Sequence, residues 1–303
     1  MHHKTITAKP AQWHVIALLG LLLATTGCLS DLRTQTVKTQ HSDPANEAQG
    51  RAVLDRAWKA QGADKLQAKG TYSYTATDDW KGLLGKVGKP WPSAHAELAF
   101  KHDVGSFDAQ VTFLNGKRLG QTAGLQSWHY YEILPGAAPT FKKQHARIRF
   151  GLAAFQYFFE LADRLRQAPL IRYAGTTTWK GQAYELVLVT WDELAPHRHN
   201  DQYLVYVNAQ TGILEYAAYT LRQNYLPGSG MLHGSIAFQD FREIEGIMVP
   251  HRQLVYIGGP RRNEKAYVHR FEVQDFQWDA FDPEVLRPDP EILPVGDAKV
   301  DGR

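Results

Sequence analysis

The chain has 303 residues and a formal charge of +3, from 34 Lys and Arg against 31 Asp and Glu. That length is enough for one large domain with a well-buried core, or for two small ones. A body so near neutral lacks the concentrated basic patch that nucleic acid requires, and one cysteine allows no intrachain disulfide, so packing must hold the fold. Aromatic residues make up 12% of the chain, including 14 Tyr and 8 Trp, a composition suited to large sheets and amphipathic surfaces.

Residues 1–14 carry Lys4, Lys9 and no acid, and Val15 to Ala24 is a run of apolar residues and glycine that ends just before the single cysteine, Cys28. A membrane span needs about 20 apolar residues, so a basic start, a short apolar core and small residues before a cut describe an export signal. The segment Leu21-Leu22-Leu23-Ala24-Thr25-Thr26-Gly27-Cys28 resembles the lipobox of bacterial lipoproteins, with Thr25 where leucine is commoner. That resemblance implies cleavage after residue 27 and acylation (palmitate-type chains) of Cys28, which ties the protein to a membrane; the alternative is an ordinary cleaved signal with a stray cysteine, or a short membrane anchor. Leu29 takes the place of the aspartate that marks inner-membrane retention, which by the same resemblance implies the outer membrane, facing the periplasm. Loss of Lys4 and Lys9 with the signal brings the formal charge down to about +1.

Residues 28–43 read as a lipidated cysteine and a polar tether. Asp43-Pro44 has the form of a helix cap followed by a first-turn proline, and Ala48, Ala52, Leu54, Ala57 and Trp58 recur at helical spacing, so a helix is predicted over about residues 44–61, stopped by Gly62. Strands follow from Thr71 to Thr75, Glu97 to Phe100, Phe107 to Leu114 (ending at the turn Asn115-Gly116) and Trp128 to Ile133. The glycine- and proline-rich stretch Gly82 to Pro92 reads as a loop.

A second helix is predicted over residues 148–167. Phe150, Ala154, Tyr157, Phe158, Leu161 and Leu165 fall in one arc, and Leu152, Phe155, Phe159 and Ala162 widen it to roughly 220°. A helix lying on a flat sheet needs about half that width, so this one is expected to be enclosed on several sides or to line an apolar cavity. Seven more strands follow: Ile171–Trp179, Ala183–Trp191, Gln202–Val207, Ile213–Arg222, Met231–Phe241, Met248–Ile257 and Lys265–Trp278, parted by turns such as Lys180-Gly181 and Glu245-Gly246. The plan is α+β and mainly β: about eleven antiparallel strands in a sheet that must curl or close, helices covering or filling its hollow, one domain over residues 44–282, and a proline-rich tail over 283–303 expected to pack loosely.

Three segments resemble the LolA/LolB-like superfamily of lipoprotein carriers. They are Phe238-Gln239-Asp240-Phe241-Arg242-Glu243-Ile244-Glu245-Gly246-Ile247-Met248-Val249-Pro250, the strand and turn Tyr206-Val207-Asn208-Ala209-Gln210-Thr211-Gly212-Ile213-Leu214, and the opening helix with the Tyr-rich strand after it. The resemblance implies an unclosed β-barrel whose apolar hollow, under helices, holds acyl chains.

Phe155, Tyr157, Phe158 and Phe159 are the candidate ligand contacts, because acyl chains need a concave apolar lining and little directional bonding; the alternative is a packed core helix. His197 and His199, flanked by Asp192, Glu193 and Asp201, are a weak metal candidate that lacks a third histidine at ligand spacing and carries the opposing Arg198. No nucleophile elbow or phosphate-binding glycine loop is present, and Arg261-Arg262 reads as a hairpin tip or a contact for lipid headgroups. The expected protein is therefore a lipoprotein without cofactor that binds a lipid, an acylated protein or another apolar molecule. The alternatives are an envelope interaction module with a protein partner and, on the His197/His199 loop alone, a periplasmic hydrolase or metal enzyme.

Overall fold

The computed structural model describes residues 29–40, 42–143, 145–222 and 229–296; Cys28 and the apolar segment before it lie outside them. Among the described residues thirteen strands form one sheet: β1 (Thr71–Trp80), β2 (His95–Asp103), β3 (Ala109–Phe113), β4 (Thr122–Gln126), β5 (His129–Ile133), β6 (Thr140–Phe141), β7 (Leu170–Trp179), β8 (Gln182–Thr190), β9 (Tyr203–Asn208), β10 (Leu214–Thr220), β11 (His233–Ile244), β12 (Ile247–Ile257) and β13 (His269–Trp278). The spatial order is β6-β5-β4-β3-β2-β1-β13-β12-β11-β10-β9-β8-β7. Every pairing is antiparallel, and β6 and β7 are unpaired opposite edges, so the sheet is open.

The α-helices among the described residues are α1 (Gln35–Gln40), α2 (Pro44–Ala60), α3 (Gly82–Gly88), α4 (Ala146–Phe159) and α5 (Leu161–Arg166). The chain enters at the middle of the sheet, steps outward from β1 to β6, crosses to the far edge through α4 and α5, and steps back to β13 beside β1. That crossing takes α4 through the hollow. Ile148, Leu152 and Phe155 pack with Leu98, Phe100, Val111 and Phe271 on one half of the sheet. Phe158 packs with Tyr219, Ile236 and Phe238 on the other half, where Leu161 and Leu165 of α5 are also buried. One helix touching both halves of a single sheet requires that the sheet curl around it.

Local signals account for several boundaries. The Asp43 carboxylate accepts the Ala45 N–H ahead of a first-turn proline, the expected cap of α2. Glu245 and Gly246, at φ 53° and 79°, make the two-residue turn between β11 and β12, the left-handed pair whose twist matches a hairpin.

Five expectations need correction. The sheet has thirteen strands, not eleven, because β4 and β6 carry little alternation to read: β6 is only two residues long, and four of the five β4 residues are buried. The stretch 82–92, read as a loop, contains α3. The helix predicted over 148–167 is two helices, α4 and α5, parted at Glu160.

The remaining two corrections concern the chain ends. Residues 29–40 do not form an extended tether. Leu32 and Val37 are buried against Leu186, Leu188, Leu204 and Ala218 on the outer face of β7–β10, and Thr34 Oγ1 donates to the Ala174 carbonyl of edge strand β7 at 2.8 Å. The segment hides apolar surface and an exposed strand edge that would otherwise invite pairing. Likewise the tail is docked: Leu286 is fully buried, Arg287 bridges Asp103 and Asp108 at 2.6 and 3.1 Å, and Gln126 Nε2 donates to the Asp289 carbonyl. Two short apolar residues on one end and one leucine on the other suffice, because each meets a complementary outer face that the sequence pattern does not display.

Candidate functional site

Between α4 and the inner faces of β9–β13 lies a cavity of about 510 Å³. Phe150, Ala153, Ala154, Phe155, Tyr157 and Phe158 supply its helical wall. Tyr203, Tyr219, Ile236 and Val255 supply the sheet wall, and Trp80, Leu84, Val87, Leu232 and Ile257 lie around the end where β1, β10 and β12 stop and β11 and β13 begin. The size falls within the roughly 300–1,000 Å³ of small-molecule sites. The walls are dominated by carbon, which suits a ligand held by burial more than by directed bonds.

Three of the four candidate aromatics face this cavity. Phe158 sits 4.9 Å from Tyr219 and Tyr157 5.7 Å from Tyr203, ring centre to centre. Phe155 spans cavity and core, 4.6 Å from Phe271. Phe159 points the other way, into the aromatic stack of Tyr72, Tyr74 and Phe276, and lines only a pinhole of about 30 Å³. It is a core residue.

Polar groups on the cavity wall are few, and most are already engaged. The Asp201 carboxylate accepts from the Thr220 hydroxyl at 2.7 Å and the Arg222 N–H at 2.8 Å; burial nevertheless raises its pKa. Burial likewise lowers the pKa of His233, whose Nδ1 lies 2.9 Å from Ser30 Oγ. Gln253 is 2% exposed, and its amide nitrogen has no hydrogen-bond partner, so it is a polar point in an apolar wall. His269 stacks on Trp80 at 4.0 Å and 7° and places Nε2 2.6 Å from Oδ1 of the fully buried Asp78, whose Oδ2 accepts from Trp91 Nε1 at 2.5 Å. A paired Asp and His make two-thirds of a hydrolytic triad. Among the described residues no serine or threonine hydroxyl is hydrogen-bonded to His269.

The His197/His199 loop lies apart from this site. Its rings stand 5.5 Å apart, and His197 Nδ1 already accepts from the His199 backbone N–H at 3.2 Å. Among the described residues no group of three or more His, Cys, Asp or Glu is placed to hold a metal ion.

The residues that sequence reasoning missed are those of the sheet wall. Tyr203, Tyr219, Ile236 and Val255 lie on strands that the sequence pattern predicts, and alternation marks their inward face. Alternation does not say which inward side chains meet the helix and which meet open space.

No protein-family model matches the sequence, and no curated protein matches it. Solved structures of similar fold include a DUF1329 family protein from Desulfovibrio piger, 12% identical, with a TM-score of 0.50 over 78% of this chain and 96% of that one. They also include a LolA superfamily protein from Nitrosomonas europaea, 11% identical, with a TM-score of 0.48 over 78% and 96% of the two chains. At such identities the likeness is one of fold alone.

Proposed function

We propose that this protein is a non-enzymatic carrier or sensor that takes an acyl lipid, or the acyl part of a larger molecule, into the cavity between α4 and the sheet. The observation that carries the reading is the cavity itself, about 510 Å³ walled by Phe155, Tyr157, Phe158, Tyr203, Tyr219 and Ile236. An aromatic and aliphatic wall of this kind gains about 25 cal/mol for each Å² of apolar ligand surface taken from water. The unpartnered Gln253 amide offers one hydrogen bond to an ester or amide at the head of the chain. Anchoring through acylated Cys28, in the outer membrane facing the periplasm, belongs to the same proposal and rests on the segment Leu21–Cys28.

The test is native mass spectrometry of the full chain produced in a bacterial envelope and released from mild detergent in the gas phase, beside the variant Ala154→Trp, which fills the cavity from the helical wall. A non-covalent lipid mass on the parent chain, absent from the variant, is the expected result. A parent chain that carries no such mass and takes up no added fatty acid or lipopeptide overturns the reading and leaves an interaction module.

A further inference from the structure

The end of the cavity where β10 and β12 stop is ringed by large apolar side chains that point to solvent. Leu83 is 78% exposed, Leu84 55%, Val87 48%, Met231 47% and Leu232 45%. Leu84, Val87 and Leu232 also line the cavity, so one apolar surface runs without a break from the wall of the cavity to the outside of the protein. Isolated exposed leucines are ordinary, whereas a contiguous apolar patch marks an interaction site.

The orientation of α3 is fixed by its glycine. Gly85 is buried where any side chain would meet the backbone, since a Cβ there would stand 2.7 Å from the Val268 carbonyl oxygen. The helix therefore lies on Gly85 and turns Leu83, Leu84, Lys86 and Val87 outward. Lys86 is exposed on α3; beside the helix, Lys81 Nζ lies 4.0 Å over the Tyr267 ring and Lys89 Nζ donates to the Trp91 and Pro92 carbonyls, and the sequence has no Asp or Glu between Asp79 and Glu97. Arg147 donates to the carbonyls of Val87 and Lys89 at 2.7 and 3.0 Å, which adds a further cation at the end of the helix.

A third observation places the start of the described chain on the same rim. The Ser30 N–H donates to the Gly230 carbonyl at 3.2 Å, Ser30 Oγ meets His233, and Arg222 Nη2 donates to the Ser30 carbonyl at 2.5 Å. In the sequence, Cys28 directly precedes Leu29.

We infer that this rim is a docking face for an anionic lipid bilayer, and that it sets the mouth of the cavity against the membrane surface. Exposed leucines enter the boundary between headgroups and acyl chains while lysines beside them meet headgroup phosphates, the pattern of interfacial binding. A protein partner would use the leucines but has no general need for the lysines. The docking face stands on exposed side chains and on the path of residues 29–31, whether or not the cavity holds a lipid.

The experiment uses the full chain in bacterial envelope membranes, with the photocrosslinking residue benzoylphenylalanine replacing either Leu83, on the rim but outside the cavity, or Asp64. Asp64 lies at the opposite end of the sheet, beside Lys65, whose Nζ donates to the Gly246 carbonyl. A phospholipid adduct at position 83, at least about tenfold above that at position 64, is expected. Lys86→Glu in the position-83 chain should lower that adduct at least about fivefold, from a free energy of about 1 kcal/mol per basic residue at an anionic surface. Equal yields at the two positions, a protein adduct in place of the lipid, or a yield indifferent to Lys86→Glu overturns the docking face. None of these outcomes depends on the cavity-filled mass that tests the carrier reading.

Discussion

Ser30 Oγ lies 2.9 Å from Nδ1 of His233, across 203 residues of sequence. The bond ties the residue two places after Cys28 to the cavity wall, where Arg222 holds the same segment by its carbonyl. The start of the described chain and the mouth of the cavity are thus one structural unit.

That unit makes the first prediction. Arg222→Ala removes the donor to the Ser30 and Gly230 carbonyls and should lower stability by about 1–3 kcal/mol. Residues 30–40 should then exchange amide hydrogens faster, while β1–β5 keep their protection. Unchanged exchange in that segment would show that Arg222 is not what holds it.

Phe158 tests the cavity wall. Phe158→Glu places a carboxylate between Tyr219 and Phe238, where it should expel an acyl ligand and cost about 3 kcal/mol or more if it stays buried. Denaturant unfolding and lipid extraction read the two effects separately. A variant with both stability and lipid content intact would remove Phe158 from the site.

His102 sets an acid limit. It is fully buried, and Gln156 gives its amide hydrogens to the Asp103 carbonyl and Glu160, so its Oε1 must accept from His102 Nδ1–H. Tyr74 then donates to Nε2, and the neutral ring is satisfied. Burial drops its pKa from 6.5 to about 3. The unfolded chain therefore binds a proton that the folded chain refuses, so this contribution is complete above pH 6.5 and is lost as the pH falls toward 3. The slope is about 1.4 kcal/mol per pH unit. Unfolding free energies from urea titrations between pH 7 and 4 should lose that slope in His102→Gln.

Glu160 and Arg164 form a buried ion pair at 2.7 Å, with side chains 3% and 7% exposed. Burial pushes the Glu160 carboxyl up, and Arg164 opposes the shift. Arg164→Ala should cost about 3–5 kcal/mol by stranding that carboxylate. Adding Glu160→Gln should recover part of the loss, and a double-mutant cycle with no coupling would contradict the pairing.

The tail is structural. Leu286→Ala should cost about 2–5 kcal/mol, the range for a fully buried leucine. A thermal midpoint equal to that of the parent would mean that residues 283–296 rest on the sheet without stabilising it.

Local chemistry wrote much of this fold into the sequence. The Asp43-Pro44 cap, the Glu245-Gly246 turn, the alternation of β7–β13 and the over-wide apolar arc of α4 are each short-range patterns, and each appears where those patterns place it. The arc also foretold that α4 would be enclosed. What it could not convey is that Phe158 faces a cavity while Phe159, the next residue, fills the aromatic core, because both directions are apolar and only the curvature of the sheet distinguishes them. The docking of residues 29–40 and 283–296 on the outer faces was hidden for a related reason. Leu32 and Val37 are single apolar residues in a polar stretch, and of the adjacent pair Val285 and Leu286 only the second is buried; the partners of Leu32 and Val37 lie more than a hundred residues away on strands whose two faces are both buried. Periodicity reports which way a side chain leaves its own backbone; only the assembled sheet decides what it meets there.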